Sequence, residues 1–120
     1  MLKRPHRRTW DEVVSEVRRL QFDVQDVPGV ANQRRISKNG CAIVLEKADN
    51  EAGLRMVVRP GPVIGGEIAH LVDRGFQKFF QTSRAEFPAT AERLHALHQF
   101  VEELKEAAGS ITLYNEALGT

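Results

Sequence analysis

The chain has 120 residues and a mass of 13.5 kDa, which is the size of one ordinary domain. Its composition, 42% hydrophobic and 28% charged, excludes a wholly disordered chain, a collagen-like fibre and a disulfide-stapled miniprotein. No stretch approaches the roughly eighteen consecutive apolar residues of a transmembrane helix. Cys41 is the single cysteine and no secretory signal is evident, so we expect a cytoplasmic protein.

The charge is unevenly distributed along the chain. The formal net charge is +1, but residues 1–60 carry +4 and residues 61–120 carry −3. Residues 1–8 contain four cations and Pro5, with little apolar surface to bury. We therefore predict a flexible basic arm over residues 1–8, followed by a single domain over residues 9–120.

A first helix is predicted over about residues 10–21. Thr9 and Glu12 have the spacing of a capping box, in which each side chain satisfies a backbone N–H of the other. Apolar residues then recur at steps of three and four, which places them on one face of a helix. They are Trp10, Val13, Val14, Val17 and Leu20.

A run of strands follows the chain break that Pro28-Gly29 predicts. Asn39-Gly40 is a strong hairpin signal, because both residues tolerate the positive φ angles of a type I′ turn. The polar stretch 33–38 before it is typical of an edge strand protected by cations. The apolar stretch 41–47 after it indicates an inner strand. Further strands are predicted over residues 54–59, 67–73 and 76–82.

The last long element is a second helix over about residues 88–108. Pro88 suits a first helical position, and Gly109 suits the residue after a helix end. Residues 110–114 have the pattern of a short final strand. Tight turns between consecutive strands indicate an antiparallel meander. The predicted fold is thus a two-layer α+β domain, with about five strands packed against an N-terminal and a long C-terminal helix.

Three histidines are the candidates for chemistry. His95 and His98 lie three apart on the predicted helix, and His70 lies on a predicted strand. Two histidines need a third ligand to hold a metal, and no partner motif accompanies any of the three. We assign no catalytic residue, metal or cofactor and favour a non-enzymatic function. A small-ligand pocket or enzyme site using these histidines is the weakest of three hypotheses.

The first hypothesis is a protein-interaction or self-associating module, with a homodimer or another protein as partner and no membrane. Apolar positions on both strand faces motivate it, and Val44, Val57 and Phe79 are the predicted interface. The second is a nucleic-acid or other polyanion binder that uses the arm and the cationic strand. The basic residues proposed for it are Lys3, Arg4, Arg7, Arg8, Arg34, Arg35 and Lys38.

Overall fold

The computed structural model describes residues 9–47 and 54–108. It confirms the predicted α+β class, with two helices, an antiparallel five-stranded sheet and a second, smaller sheet. The elements are α1 (Trp10–Arg19), β1 (Asp23–Val27), β2 (Val30–Lys38), β3 (Cys41–Lys47), β4 (Leu54–Ile64), β5 (Glu67–Ile68), β6 (His70–Arg74), β7 (Gln77–Gln81), β8 (Glu86–Pro88) and α2 (Ala91–Ala108). The predicted arm over residues 1–8 and final strand over residues 110–114 lie outside the described residues.

The predicted capping box begins α1. The Thr9 hydroxyl accepts from the Glu12 N–H at 3.2 Å, and the Glu12 carboxylate accepts from the Thr9 N–H at 2.8 Å. The helix ends at Arg19, two residues before the predicted limit. Gln21 adopts a left-handed conformation, with φ of 68°, and the Phe22 N–H donates to the Val17 carbonyl. This C-terminal turn redirects the chain into β1.

The five-stranded sheet has the order β1-β2-β3-β4-β5, with consecutive strands antiparallel. Asn39 and Gly40, with φ of 52° and 82°, form the predicted hairpin turn between β2 and β3. The prediction that residues 33–38 form an edge strand is wrong. Pro28-Gly29 is a hairpin turn rather than a break, so β1 pairs with β2 and occupies the edge instead.

The chain changes sheets at Ala69. The end of β4 pairs with β5, and the Ala69 N–H donates to the Pro62 carbonyl at 2.8 Å. The strand predicted over residues 67–73 is therefore divided into β5 and β6. Gly61 permits the close approach, because a Cβ at this position would lie 2.0 Å from the Ala69 carbonyl oxygen.

The second sheet has the order β6-β7-β8. Pro88 belongs to β8, so the prediction that it opens the second helix is wrong. Thr90 is the residue that caps α2, since its hydroxyl accepts from the Arg93 N–H at 3.2 Å. The helix then runs to Ala108, the predicted end.

The main core lies between the two helices and one face of the five-stranded sheet. At its centre the rings of Phe22 and Phe100 meet edge to face, with 5.6 Å between centroids. Ala42, Ala69 and Phe80 are also buried but lie outside this cluster. The buried members of the main cluster are Trp10, Val13, Val17, Phe22, Ile36, Cys41, Ile43, Leu45, Leu54, Phe100, Leu104, Ala107 and Ala108.

Candidate interaction surface

The three cations of β2 do not form one basic patch. Side chains alternate along a strand, so Arg34 and Lys38 lie on one face of the sheet and Arg35 on the other. Two of the three are already paired with carboxylates: Arg34 Nε lies 3.2 Å from Asp26, and Lys38 Nζ lies 2.7 Å from Glu103. The structure therefore leaves β2 little free positive charge for a polyanion.

Polyanion binding remains a prediction, and the pairing on β2 sharpens its test. If the hypothesis is correct, the salt dependence of binding to labelled DNA and RNA comes from the arm. Deleting residues 1–8 is then expected to reduce the slope of log K against log salt by about three to four, one for each lost phosphate contact. Arg34→Gln is expected to leave the slope unchanged. Absence of fluorescence-anisotropy binding at low salt would eliminate the hypothesis.

The three histidines are exposed and are not gathered in a cavity. His70 lies on β6, whereas His95 and His98 lie on α2. None of them lines the cleft beside the β2–β3 turn or the cleft at the β1–β2 hairpin. Within residues 9–47 and 54–108, no group of three His, Cys, Asp or Glu side chains is placed to hold a metal ion. The geometry gives no support to a histidine-based site.

The larger cleft, with a volume of about 680 Å³, lies between the β2–β3 turn, the end of β4 and the start of α2. Its apolar lining includes Cys41, Pro62, Ile64 and Ala96. Burial raises the pKa of the Cys41 thiol, which keeps it protonated and poorly nucleophilic. A second cleft of about 480 Å³ lies at the β1–β2 hairpin.

The predicted interface residues lie in two different sheets. Val44 on β3 and Val57 on β4 belong to the five-stranded sheet, whereas Phe79 belongs to β7. Val57 is 45% exposed, but Val44 and Phe79 are half-buried. Sequence patterning did not identify the large apolar residue that is most exposed within residues 9–47 and 54–108.

That residue is Phe76, at the tip of the β6–β7 hairpin. Arg74 pairs with Gln77, so Gly75 and Phe76 are the two turn residues. Gly75 has a φ of 66° whereas the φ of Phe76 is not positive, and this combination indicates a type II′ turn rather than type I′. The Phe76 side chain is fully exposed, with a relative accessibility of 107%, and Leu71 on β6 is 48% exposed.

One buried side chain anchors the hairpin: among the residues of β6, β7 and β8, all of which the structure describes, only Phe80 is buried. Leu71 pairs with Phe80, which in turn pairs with Phe87, and Phe80 is fully buried. On the opposite face, Arg74 forms an ion pair with Glu86. The tip therefore projects from a small sheet that has a buried ring on one face and an exposed ion pair on the other.

The carboxylate of Glu67 joins the two sheets near the end of β7. The Ser83 N–H and hydroxyl donate to the Glu67 carboxylate at 3.0 and 2.8 Å. These two hydrogen bonds, the backbone one first, lower the pKa of Glu67. Glu67 lies on β5 in the larger sheet, and Ser83 lies between β7 and β8.

We expect Glu67→Gln to lower the melting temperature at neutral pH. Because the pKa is lowered in the folded state, ionised Glu67 contributes stability above its unfolded pKa, and this contribution is lost as pH falls through the folded pKa. Melting curves of both proteins between about pH 7 and pH 3 measure the effect. The difference between them should shrink on acidification. A difference independent of pH would contradict this assignment.

Comparison of the chain with protein-family models, curated proteins and solved structures finds no match. Neither α1 nor α2, the two helices of the described residues, is long and apolar enough to cross a membrane. The candidate surface is thus defined by its geometry: Phe76 at the hairpin tip, with Leu71 on the adjacent strand.

Proposed function

We propose that the chain is a protein-interaction module that presents the β6–β7 hairpin to a partner. The single observation that carries this proposal is the full exposure of Phe76. Burying a phenylalanine side chain contributes about 1.5–3 kcal/mol of free energy, and Phe76 makes no such contribution to the fold of its own chain. The contribution is made to binding when the ring packs against an apolar surface of a partner.

The position of Phe76 in the turn supports the same function. Phe76 is the second residue of a two-residue turn, and its full exposure means that its ring gains nothing from packing against its own domain. Aromatic anchors that project from a rigid surface are typical binding hot spots. Because buried Phe80 anchors the hairpin to its own domain, less conformational entropy is lost when the hairpin is ordered on binding.

Site-specific photocrosslinking tests the proposal. A benzoylphenylalanine is placed at position 76 of the full chain, and the protein is irradiated in the cells that express it. We expect one discrete protein adduct, identified by mass spectrometry, because the tip enters an apolar site on its partner. Leu71→Lys in the same chain should weaken this adduct, since Leu71 is the other exposed apolar side chain of the hairpin.

A matched control carries the crosslinker at Gln99, an exposed residue of α2. We expect no corresponding adduct from position 99. If position 76 gives no protein adduct, or gives the same adducts as position 99, the hairpin is not an interaction element and the proposed function is wrong.

A further inference from the structure

We infer that Asn39 is a site of spontaneous covalent modification. The backbone nitrogen of Gly40 displaces the Asn39 side-chain amide, and hydrolysis then leaves aspartate or isoaspartate at position 39. The two residues form the turn between β2 and β3. The proposed function concerns the β6–β7 hairpin instead, so the two proposals stand or fall separately.

The two reacting groups are accessible and lack partners in the part of the chain that the structure describes. Asn39 and Gly40 are both exposed. Among those residues the Asn39 amide makes no hydrogen bond, and the Gly40 N–H has no acceptor. A Cβ built at Gly40 would meet no atom within 4 Å beyond its chain neighbours. Water and hydroxide therefore reach both groups.

The turn lies one peptide flip away from the geometry that the reaction needs. The φ angles of 52° at Asn39 and 82° at Gly40 are both positive, as in a type I′ turn. The ψ angle of the first turn residue is about +30° in type I′ and about −120° in type II′. Rotating the peptide unit between the two residues interconverts these turns while β2 and β3 stay paired. In the second geometry the Gly40 nitrogen eclipses the Asn39 Cβ, so a five-membered ring can close on Cγ.

Glycine at position 40 favours both the flip and the attack. The flip reverses the sign of φ at this residue, and glycine adopts either sign at little cost. With no Cβ beside it, the attacking nitrogen is also unhindered. Each of the other three asparagines is followed by glutamine or glutamate, whose side chain hinders the nitrogen. They are Asn32, Asn50 and Asn115.

The reaction consumes only water and releases ammonia. The Gly40 nitrogen loses its proton to hydroxide and bonds to Asn39 Cγ. The bond from Cγ to the side-chain nitrogen breaks, and ammonia leaves with a proton from water, which restores the hydroxide. Water then opens the succinimide. Breaking the new N–Cγ bond gives aspartate, whereas breaking the original peptide bond leaves Gly40 attached through Cγ, as isoaspartate.

The two products differ in their effect on the hairpin. Asp-Gly suits a type I′ turn as Asn-Gly does. Isoaspartate instead adds a methylene to the backbone between Lys38 and Cys41, which pair across the strands. It also displaces the Gly40 carbonyl, which accepts from the Val63 N–H at 2.7 Å. We expect the isoaspartate form to melt at a lower temperature than Asn39→Asp.

Incubation of the purified full chain in mildly alkaline buffer, followed by peptide mapping with mass spectrometry, measures the conversion. We expect the amide to be lost at position 39, with isoaspartate detected by enzymatic methylation of its free carboxylate. The rate should rise with pH, because the attacking nitrogen must be deprotonated. Asn32 is exposed in the same samples and serves as the internal control, which should keep its amide.

An Asn39 that stays intact in the folded chain would overturn the inference, and its conversion in urea would then show that the turn protects it. Equal conversion of Asn32 and Asn39 would overturn it as well. Asn39→Gly is the matched variant, since Gly-Gly also suits a type I′ turn but carries no amide. We expect this variant to keep its melting temperature during incubation. A fall equal to that of the native chain would show that the damage lies elsewhere.

Discussion

Replacing Phe100 with alanine is expected to lower the free energy of unfolding by about 3–5 kcal/mol. Phe100 is 3% exposed and lies in the core cluster between α2 and the sheet. Its ring meets that of Phe22 edge to face, so truncation removes an aromatic pair as well as buried apolar area. The loss is a large share of the stability of a domain of this size.

Chemical denaturation by urea, followed by circular dichroism, measures this change. Gln99→Ala is the matched control, because Gln99 precedes Phe100 on α2 but is exposed. We expect that control to change stability by less than about 0.5 kcal/mol. Equal effects of the two substitutions would show that Phe100 does not lie in the core described above.

Replacing Lys38 with methionine is expected to cost about 1–2 kcal/mol. Lys38 Nζ donates to the Leu20 carbonyl at the end of α1 at 2.8 Å and to Glu103 of α2 at 2.7 Å. It also lies 5.0 Å from the centroid of the Phe22 ring. Methionine keeps much of the aliphatic packing but removes the charge that joins the two helices to β2.

Lys105→Met is the control for this substitution. Lys105 forms an ion pair with Glu102 at 3.4 Å, three residues away on the same helix, and such pairs contribute little. We expect a change below about 0.5 kcal/mol in the same urea experiment. If Lys38→Met is as mild as Lys105→Met, the Lys38 contacts do not stabilise the fold.

The elements with strong local signals were predictable from the sequence. The capping box of Thr9 and Glu12 and the turn at Asn39-Gly40 both depend on short-range backbone chemistry, and both are present. Strand β1 was missed because its sequence, Asp-Val-Gln-Asp-Val, has few apolar residues. It forms because β2 offers a partner across the turn at Pro28-Gly29. Tertiary pairing of this kind outweighs local propensity.

The hydrophobic pattern did not resolve whether Phe76 belongs to the turn between β6 and β7 or to β7 itself. Strands were predicted over residues 67–73 and 76–82, with Phe76 opening the second of them. The turn instead consists of Gly75 and Phe76, so the aromatic side chain lies at the tip rather than on a strand face. The start of α2 shows a similar ambiguity, since both Pro88 and Thr90 suit the beginning of a helix.

The central claim is that Phe76 serves binding and not folding. Two proteins test this claim, the native chain and Phe76→Asp, each with the crosslinker in place of Lys78 on the same hairpin. Thermal unfolding and crosslinking are measured on both. We expect a melting temperature within about 3 °C of that of the native chain, together with loss of the protein adduct. A large fall in melting temperature with the adduct retained would show that Phe76 supports the fold, and would contradict the account.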